Sequence, residues 1–180
     1  MNEKYAIKAG LDRCLSSGRY VQLFLDDLVS LVINQKISPE IIFREIRALE
    51  GKEAPLLNNL DVDPCLIWHA EYEAELNRSP SVTKKYSEFT RSLLKGLHHK
   101  HYYVHQGDFI SINVLNHNRK YANHSPLCAM MTKISDGTLT GEWIIFKKTE
   151  AGNTYLCLAK HTDGDNAIHN RLKASGNELG

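Results

Sequence analysis

Two β-rich runs in the last quarter of the chain, residues 141–148 and 154–161, constrain the fold more than any other feature. Both runs have the length of a strand, and the first is rich in β-branched and aromatic residues. The residues between them include Glu150-Ala151-Gly152-Asn153, a sequence typical of a turn. The pair therefore predicts a β-hairpin.

Two shorter segments upstream continue this β pattern. Residues 102–104 are aromatic and β-branched, and residues 109–115 alternate apolar with polar side chains after the turn-forming sequence Gln106-Gly107-Asp108. Both segments are predicted to be strands of the same sheet. Residues 116–126 are polar and are expected to form a loop.

The first half of the chain has helical periodicity instead. Apolar residues recur at helical spacing over residues 20–34, which predicts an amphipathic helix. Because Ser38-Pro39-Glu40 is typical of a helix start, a second helix is expected from there to Gly51, packed as a hairpin with the first. Three further helices are predicted: one in the acid-rich run 71–75, one over residues 82–97, and one from Asp163 or Asp165 to about Gly176.

This order of elements predicts an α+β fold, with N-terminal helices followed by a small antiparallel β-sheet and a C-terminal helix. The chain has 180 residues, of which 42% are hydrophobic and 24% are charged, as in an ordinary globular domain. We expect a helical N-terminal region over residues 1–80 and an α+β domain over residues 81–180.

The sequence lacks the motifs and segments that are typical of several classes of protein. No run approaches the length of a membrane span and the first residues do not open a signal peptide, so we expect a soluble, cytoplasmic protein that does not contact membranes. The four cysteines are too scattered for a disulfide framework or a thiolate zinc site. The phosphate-loop, dinucleotide-binding, zinc-protease and α/β-hydrolase motifs are missing, and no cofactor is expected.

Histidine and basic residues are concentrated in the second half of the chain. The segment 95–133 holds five lysines or arginines, six histidines and a single acid, Asp108. Such a segment attracts phosphate, more strongly below about pH 6.5, where histidine becomes charged. We expect the function to reside there.

The sequence Lys95-Gly96-Leu97-His98-His99-Lys100-His101-Tyr102-Tyr103-Val104-His105 allows three interpretations. Its imidazoles and ammonium groups are the groups that metal-free RNA cleavage requires. On a helix, His98, His101 and His105 would share a face and could bind zinc or iron, whereas on a strand the shared face would hold His99, His101, Tyr103 and His105. In the third interpretation the segment is a solvated helix end without chemistry.

Two other positions are candidates for the same chemistry. Thr140 and Trp143 lie at the start of a predicted strand, where the hydroxyl could contact a phosphate and the indole could stack on a base. His161 follows the last predicted strand and could complete an acid–base pair. Each of these also has a structural interpretation: Trp143 as a core aromatic, Thr140 as a turn residue and His161 as a polar strand end.

The order of these features resembles the barnase/EndoU/colicin/RelE-like (BECR) ribonuclease superfamily, especially its toxin and phage-encoded members. The resemblance covers about residues 95–172 and consists of the Lys/His cluster, a strand that opens Thr140-Gly141-Glu142-Trp143, and the hairpin. It implies that Lys100 with His101, and Thr140 with Trp143, line the scissile phosphate. It also implies an RNA substrate such as tRNA.

The sequence therefore predicts a metal-independent endoribonuclease of toxin or phage type that uses no cofactor. His101 would be the general base or acid, with His161 or His98 as its partner, and Lys100 would stabilise the phosphorane. Lys95 and His105 would help to bind the RNA, and an immunity or antitoxin protein could be a partner. Two alternatives remain open: a metal-binding enzyme or sensor, and a non-catalytic interaction protein that forms homodimers through its N-terminal helices.

Overall fold

The computed structural model describes residues 3–52, 81, 83–90, 93–104, 107–120 and 125–176. These residues form six helices and five strands, which confirms the predicted α+β class. The helices are α1 (Glu3–Cys14), α2 (Gln22–Gln35), α3 (Glu40–Leu49), α4 (Gly107–Asn118), α5 (Pro126–Ser135) and α6 (Asp165–Ala174). The strands are β1 (Arg19–Tyr20), β2 (Ser87–Glu88), β3 (His98–Tyr102), β4 (Glu142–Thr149) and β5 (Gly152–Ala159).

The five strands form one sheet in the order β1-β5-β4-β3-β2. The β4–β5 hairpin is the one predicted from the sequence, and β3 pairs antiparallel with β4 on its other side. β1 pairs parallel with β5, so the sheet is mixed and not wholly antiparallel as expected. The reason is that β1 belongs to the N-terminal region, which adds its own strand to the sheet edge.

Helices α1, α2 and α3 cover one face of the sheet, which we call the first face. Their apolar side chains form a common core with Tyr102, Ile144, Phe146 and Tyr155 from the strands. Because successive strand residues point to opposite faces, the even-numbered residues of β3 point into this layer. The first face is thus the side on which the N-terminal helices are packed.

A second, smaller core covers the other side of the sheet, which we call the second face. Ile145 and Cys157 from the hairpin pack there against α6 and against Leu94 and Leu97 from the segment before β3. The two layers are tied together by Asp27 of α2, which accepts hydrogen bonds from the Arg171 side chain and the Leu158 backbone.

The helix predicted over residues 82–97 is wrong for the part of it that the structure describes. Thr83 forms an isolated bridge with Leu139, residues 87–88 form β2, and a tight turn leads into β3. Gly96 allows this turn because its φ of 84° lies in the left-handed region. Of the apolar residues that resembled one helical face, Phe89 and Leu97 contact the second face of the sheet, whereas Tyr86 packs against Phe146 on the first face and Leu93 is exposed.

The strand predicted over residues 109–115 is also wrong, because this segment is part of α4. Its alternation is not a sheet pattern: Asn113 and His117 are the buried positions, one helical turn apart, whereas Ile110 and Ile112 are exposed. The predicted loop 116–126 likewise begins inside α4 and ends in α5, and its residues 121–124 lie outside the described residues. The N-terminus of α5 is capped by Ser125, whose hydroxyl accepts a hydrogen bond from the Cys128 N–H.

The remaining helices follow the sequence more closely. α2, α3 and α6 confirm three predicted helices, although the N-cap of α3 is Pro39 and not Ser38. α1 was not predicted, and it packs against both α2 and α3. The helix expected at residues 71–75 lies outside the described residues. Among the helices that the structure describes, none has both the length and the apolar composition needed to cross a membrane.

Candidate functional site

Four aromatic side chains meet on the second face of the sheet, and we call them the His–Trp cluster: His99, His101, Trp143 and His161. His101 lies directly opposite Trp143 in the β3–β4 register. Ring centroids are 5.2 Å apart for His99 and Trp143, and 4.8 Å apart for Trp143 and His161. The rings of His101 and His161 are nearly parallel, at 22° and 6.3 Å. Strand pairing therefore brings together residues that are far apart in the sequence.

His101 is the most buried member of the His–Trp cluster, with 6% of its surface exposed. Its Nδ1 lies 2.8 Å from the Gly141 carbonyl oxygen and 3.2 Å from the Gly141 backbone nitrogen. Because one nitrogen cannot donate and accept at once, the shorter contact assigns the proton to Nδ1. Nε2 then carries a lone pair that can accept a proton.

Burial also sets the charge of His101. Loss of solvent lowers its pKa to about 4, although the bond to the Gly141 carbonyl opposes this shift. His101 is consequently neutral at physiological pH. A neutral imidazole with a free lone pair has the chemistry of a general base.

His99 and His161 both pack against the indole ring of Trp143. His99 packs against Phe89 at a centroid distance of 4.6 Å, and burial lowers its pKa. His161 lies at the exit of β5 and is exposed. One histidine of the cluster is thus shielded beside an aromatic ring, while another is exposed to solvent.

Thr140 lies next to this cluster and is 4% exposed. Its backbone N–H donates to the Asn113 side-chain oxygen at 2.8 Å, and its carbonyl accepts from the Asn113 amide at 2.9 Å. The Thr140 Oγ1 is buried and has no hydrogen-bond partner among the residues described. A buried hydroxyl without a partner is costly, so this group is available to a ligand.

Lys84 supplies positive charge beside the His–Trp cluster. It follows Thr83, whose side chain contacts Lys100 on the first face, and its own side chain is exposed. Its charge lowers the pKa values of both His99 and His101, after the larger effect of burial. In the described part of the chain Lys84 forms no ion pair.

A second lysine, Lys133 of α5, lies near the same loop. Its Nζ donates to the Thr138 carbonyl at 3.1 Å, and its side chain is largely buried. Burial lowers the pKa of Lys133, and the charge of Lys84 lowers it further. Two cations therefore approach the segment that carries the unpartnered Thr140 hydroxyl, which favours an anion there.

Lys100 does not join the His–Trp cluster, although the sequence placed it beside His101. It points to the first face, where its Nζ lies 3.0 Å from the Glu45 Oε2 and donates to Ser81, Thr83 and the Lys84 carbonyl. Its ammonium group is therefore occupied by a buried ion pair. Adjacent residues of a strand point to opposite faces, and this is why Lys100 and His101 are separated.

The other predicted residues also lie away from the cluster. His98 is on the first face of the sheet, where its ring packs against Tyr86 and Phe146, and burial lowers its pKa. Lys95 is exposed in the turn before β3. His105 lies outside the described residues. Of the predicted residues, the structure brings together His101, His161, Thr140 and Trp143.

The predicted metal ligands do not converge on this strand. His98 and His101 point to opposite faces of β3, so they cannot hold one ion together. In the parts of the chain that the structure describes, no group of three or more His, Cys, Asp or Glu side chains is arranged to hold a metal ion.

A cavity of about 150 Å³ lies between α2, the end of β5 and α6. Tyr102 and Glu142 form part of its wall, and the Tyr102 hydroxyl donates to the Glu142 carboxylate at 2.7 Å. Both residues point to the first face of the sheet. The cavity is therefore separate from the His–Trp cluster.

No family model matches this chain, and no curated protein or solved structure matches it either. The resemblance to the BECR ribonucleases thus stays a prediction. The assignment of a function depends on the chemistry of the site.

No catalytic or binding role was predicted for His99, Lys84 or Asn113. His99 was named only as the strand neighbour of His101, and the strand alternative for these two residues is the one the structure confirms. The two-residue period of β3 was the signal that could have selected it. No local signal marks Lys84 or Asn113, because their positions depend on contacts with residues 139–141.

Proposed function

We propose that the protein is a metal-independent endoribonuclease that cleaves RNA by attack of a 2′-hydroxyl on the adjacent phosphate. The observation that carries this proposal is the near-parallel pair His101 and His161. The unpartnered Thr140 hydroxyl belongs to the residue before Gly141, whose carbonyl lies 2.8 Å from the His101 Nδ1. Two imidazoles and a phosphate-binding group are sufficient for this reaction.

The two histidines divide the proton transfers between them. His101 is neutral because its pKa is about 4, so its Nε2 can take the proton of the 2′-hydroxyl. The O2′ then attacks phosphorus, the bond to the 5′-oxygen breaks, and protonated His161 gives its proton to that leaving oxygen. The products are a 2′,3′-cyclic phosphate and a 5′-hydroxyl.

Lys84 would stabilise the phosphorane, the role that the sequence assigned to Lys100. Lys100 is held by Glu45 on the other face, whereas Lys84 acts electrostatically on His101 and forms no ion pair in the described chain. A cation next to the phosphate stabilises the charge that develops on the phosphorane. The Thr140 hydroxyl would donate to a phosphate oxygen.

Trp143 and the exposed Lys95 would bind the rest of the substrate. The indole contacts His99 and His161, and a base of the RNA can stack on the exposed part of this half-buried ring. Lys95 lies in the turn that leads into β3 and can contact a neighbouring phosphate. A tRNA substrate and an antitoxin partner remain predictions of the sequence resemblance.

Cleavage in the presence of excess EDTA tests this function. Wild-type protein should cut total tRNA or mRNA and leave 2′,3′-cyclic phosphate ends, and H101A should lose about 100-fold or more in rate. H169Q is the matched control, since His169 lies on α6 outside the cluster, and it should cut like wild type. If wild type cuts neither RNA, or H101A cuts as fast as wild type, the proposal is wrong.

A further inference from the structure

Asn113 of α4 is completely buried and bonds to the backbone of the site loop. Its side-chain oxygen and nitrogen bind the N–H and C=O of Thr140 at 2.8 and 2.9 Å. A residue of a neighbouring β-strand would form the same two hydrogen bonds to the Thr140 backbone. A side-chain amide can supply it because it carries a donor and an acceptor on one plane.

The residue fixed by Asn113 directly precedes Gly141, whose carbonyl lies 2.8 Å from the His101 Nδ1. Gly141 is confined from its other side as well. A Cβ at this position would lie 2.0 Å from the Tyr102 carbonyl oxygen, so the backbones of β3 and the loop are in close contact here. The Gly141 peptide is therefore held between Asn113 and β3, with its carbonyl directed at His101.

We propose that Asn113 is a positioning residue: by fixing residues 140–141 it makes the Gly141 carbonyl hold His101 in the tautomer with an unprotonated Nε2. The Gly141 N–H also points at this nitrogen, at 3.2 Å, and would favour the opposite tautomer if the Gly141 carbonyl moved away. The bonds between Asn113 and Thr140 oppose such a movement of the loop. One helix thus selects which ring nitrogen of His101 is the base.

The same bond places the Thr140 hydroxyl. Because the Thr140 backbone is fixed at both its N–H and its C=O, its Oγ1 has a defined direction while remaining without a partner in the described structure. Asn113 therefore sets two features of the site at once, the lone pair of His101 and the hydroxyl of Thr140. The catalytic use of both rests on the proposed function, but the positioning does not.

The tautomer of His101 can be read directly by NMR on protein carrying ¹⁵N-labelled histidine rings, with His101 assigned from the signal lost in H101Q. At neutral pH the wild type should show one protonated and one unprotonated ring nitrogen. N113A and N113D should move both nitrogen shifts towards the average of two tautomers, since neither side chain can donate to the Thr140 carbonyl. N116A is the control, because Asn116 is exposed on the same helix, and its spectrum should match wild type.

Cleavage assays separate this proposal from the proposed function. If the protein is a ribonuclease, N113D should lose about 100-fold in kcat with little change in KM, as expected for a misplaced base. A changed tautomer in a protein that cuts no RNA would support the positioning and contradict the nuclease. If N113A does not fold, the tautomer of His101 is measured in N113D, which keeps the shape of asparagine, and in N113Q. A folded N113D with the wild-type tautomer overturns the proposal.

Discussion

Lys100 of β3 and Glu45 of α3 form an ion pair of 3.0 Å in which the side chains are 5% and 0% exposed. Thr83 donates to the same carboxylate oxygen at 3.0 Å and accepts from the lysine at 2.6 Å. This pair attaches an N-terminal helix to β3, an inner strand of the sheet, on the face away from the His–Trp cluster. The most conspicuous lysine of the histidine-rich segment is thus part of the fold.

Removal of one member of this pair should destabilise the protein strongly. K100M removes the lysine that faces the Glu45 Oε2 and leaves the Arg44 guanidinium, 3.3 Å from Oε1, as the cation beside the buried carboxylate. We expect a cost of up to about 3–5 kcal/mol in the free energy of unfolding. The double variant K100M/E45L removes both charges and should recover a large part of that loss. Urea unfolding of the three proteins measures this, and a K100M protein as stable as wild type would contradict the ion pair.

Lys84 and Lys85 provide a matched test of the site electrostatics. Both are exposed lysines on one segment, but it is the charge of Lys84 that acts on His99 and His101. K84A should reduce the rate of RNA cleavage by about 100-fold, because it removes the charge nearest the phosphate. K85A should change the rate little at moderate salt. Equal effects of the two substitutions would show that neither lysine has a specific role.

Stability should depend on pH through His101. Its pKa is about 4 in the folded protein and about 6.5 in an unfolded chain, so between these values only the unfolded chain binds the proton. The contribution of His101 is complete above about pH 6.5 and decreases as the pH falls, by up to about 3 kcal/mol at pH 4.

H101Q isolates this effect from the other groups that titrate in acid. Urea unfolding at about pH 7.5 and about pH 4.5 should give a smaller difference in the free energy of unfolding for H101Q than for wild type. The other groups that titrate in acid contribute equally to both proteins. One of them is Glu50: burial raises the pKa of its carboxyl group, but hydrogen bonds from Tyr155 and from nearby backbone N–H groups outweigh this effect and lower the pKa. Identical pH dependence in the two proteins would refute the buried, neutral state of His101.

Gly141 should tolerate no side chain. In G141A the new methyl group would meet the Tyr102 carbonyl oxygen at 2.0 Å, which forces the loop away from β3. We expect a loss of about 1–3 kcal/mol in the free energy of unfolding. RNA cleavage should be lost as well, since the Gly141 carbonyl moves away from His101. G164A is the control: a methyl group at Gly164 meets no atom within 4 Å, and it should cost less than about 1 kcal/mol. Thermal and urea unfolding of both variants provide the comparison.

The sequence by itself determined the elements whose pattern is local. The β4–β5 hairpin and helices α2, α3 and α6 follow from apolar periodicity, turn residues and helix-start signals, which depend on neighbours in the chain. The α+β class follows from the order of these elements. Of the candidate site residues, His101, Thr140, Trp143 and His161 were selected by residue type alone, and the fold places them within one region.

Only the tertiary structure decided which face each residue occupies. The apolar pattern of residues 109–115 is compatible with a strand, and it becomes a helix because Asn113 is buried against Thr140. Lys100 and His101 are neighbours in the sequence, yet β3 directs one to Glu45 and the other to Trp143. Such outcomes depend on contacts between distant segments, whose free energy exceeds local preferences and leaves no mark in the local sequence.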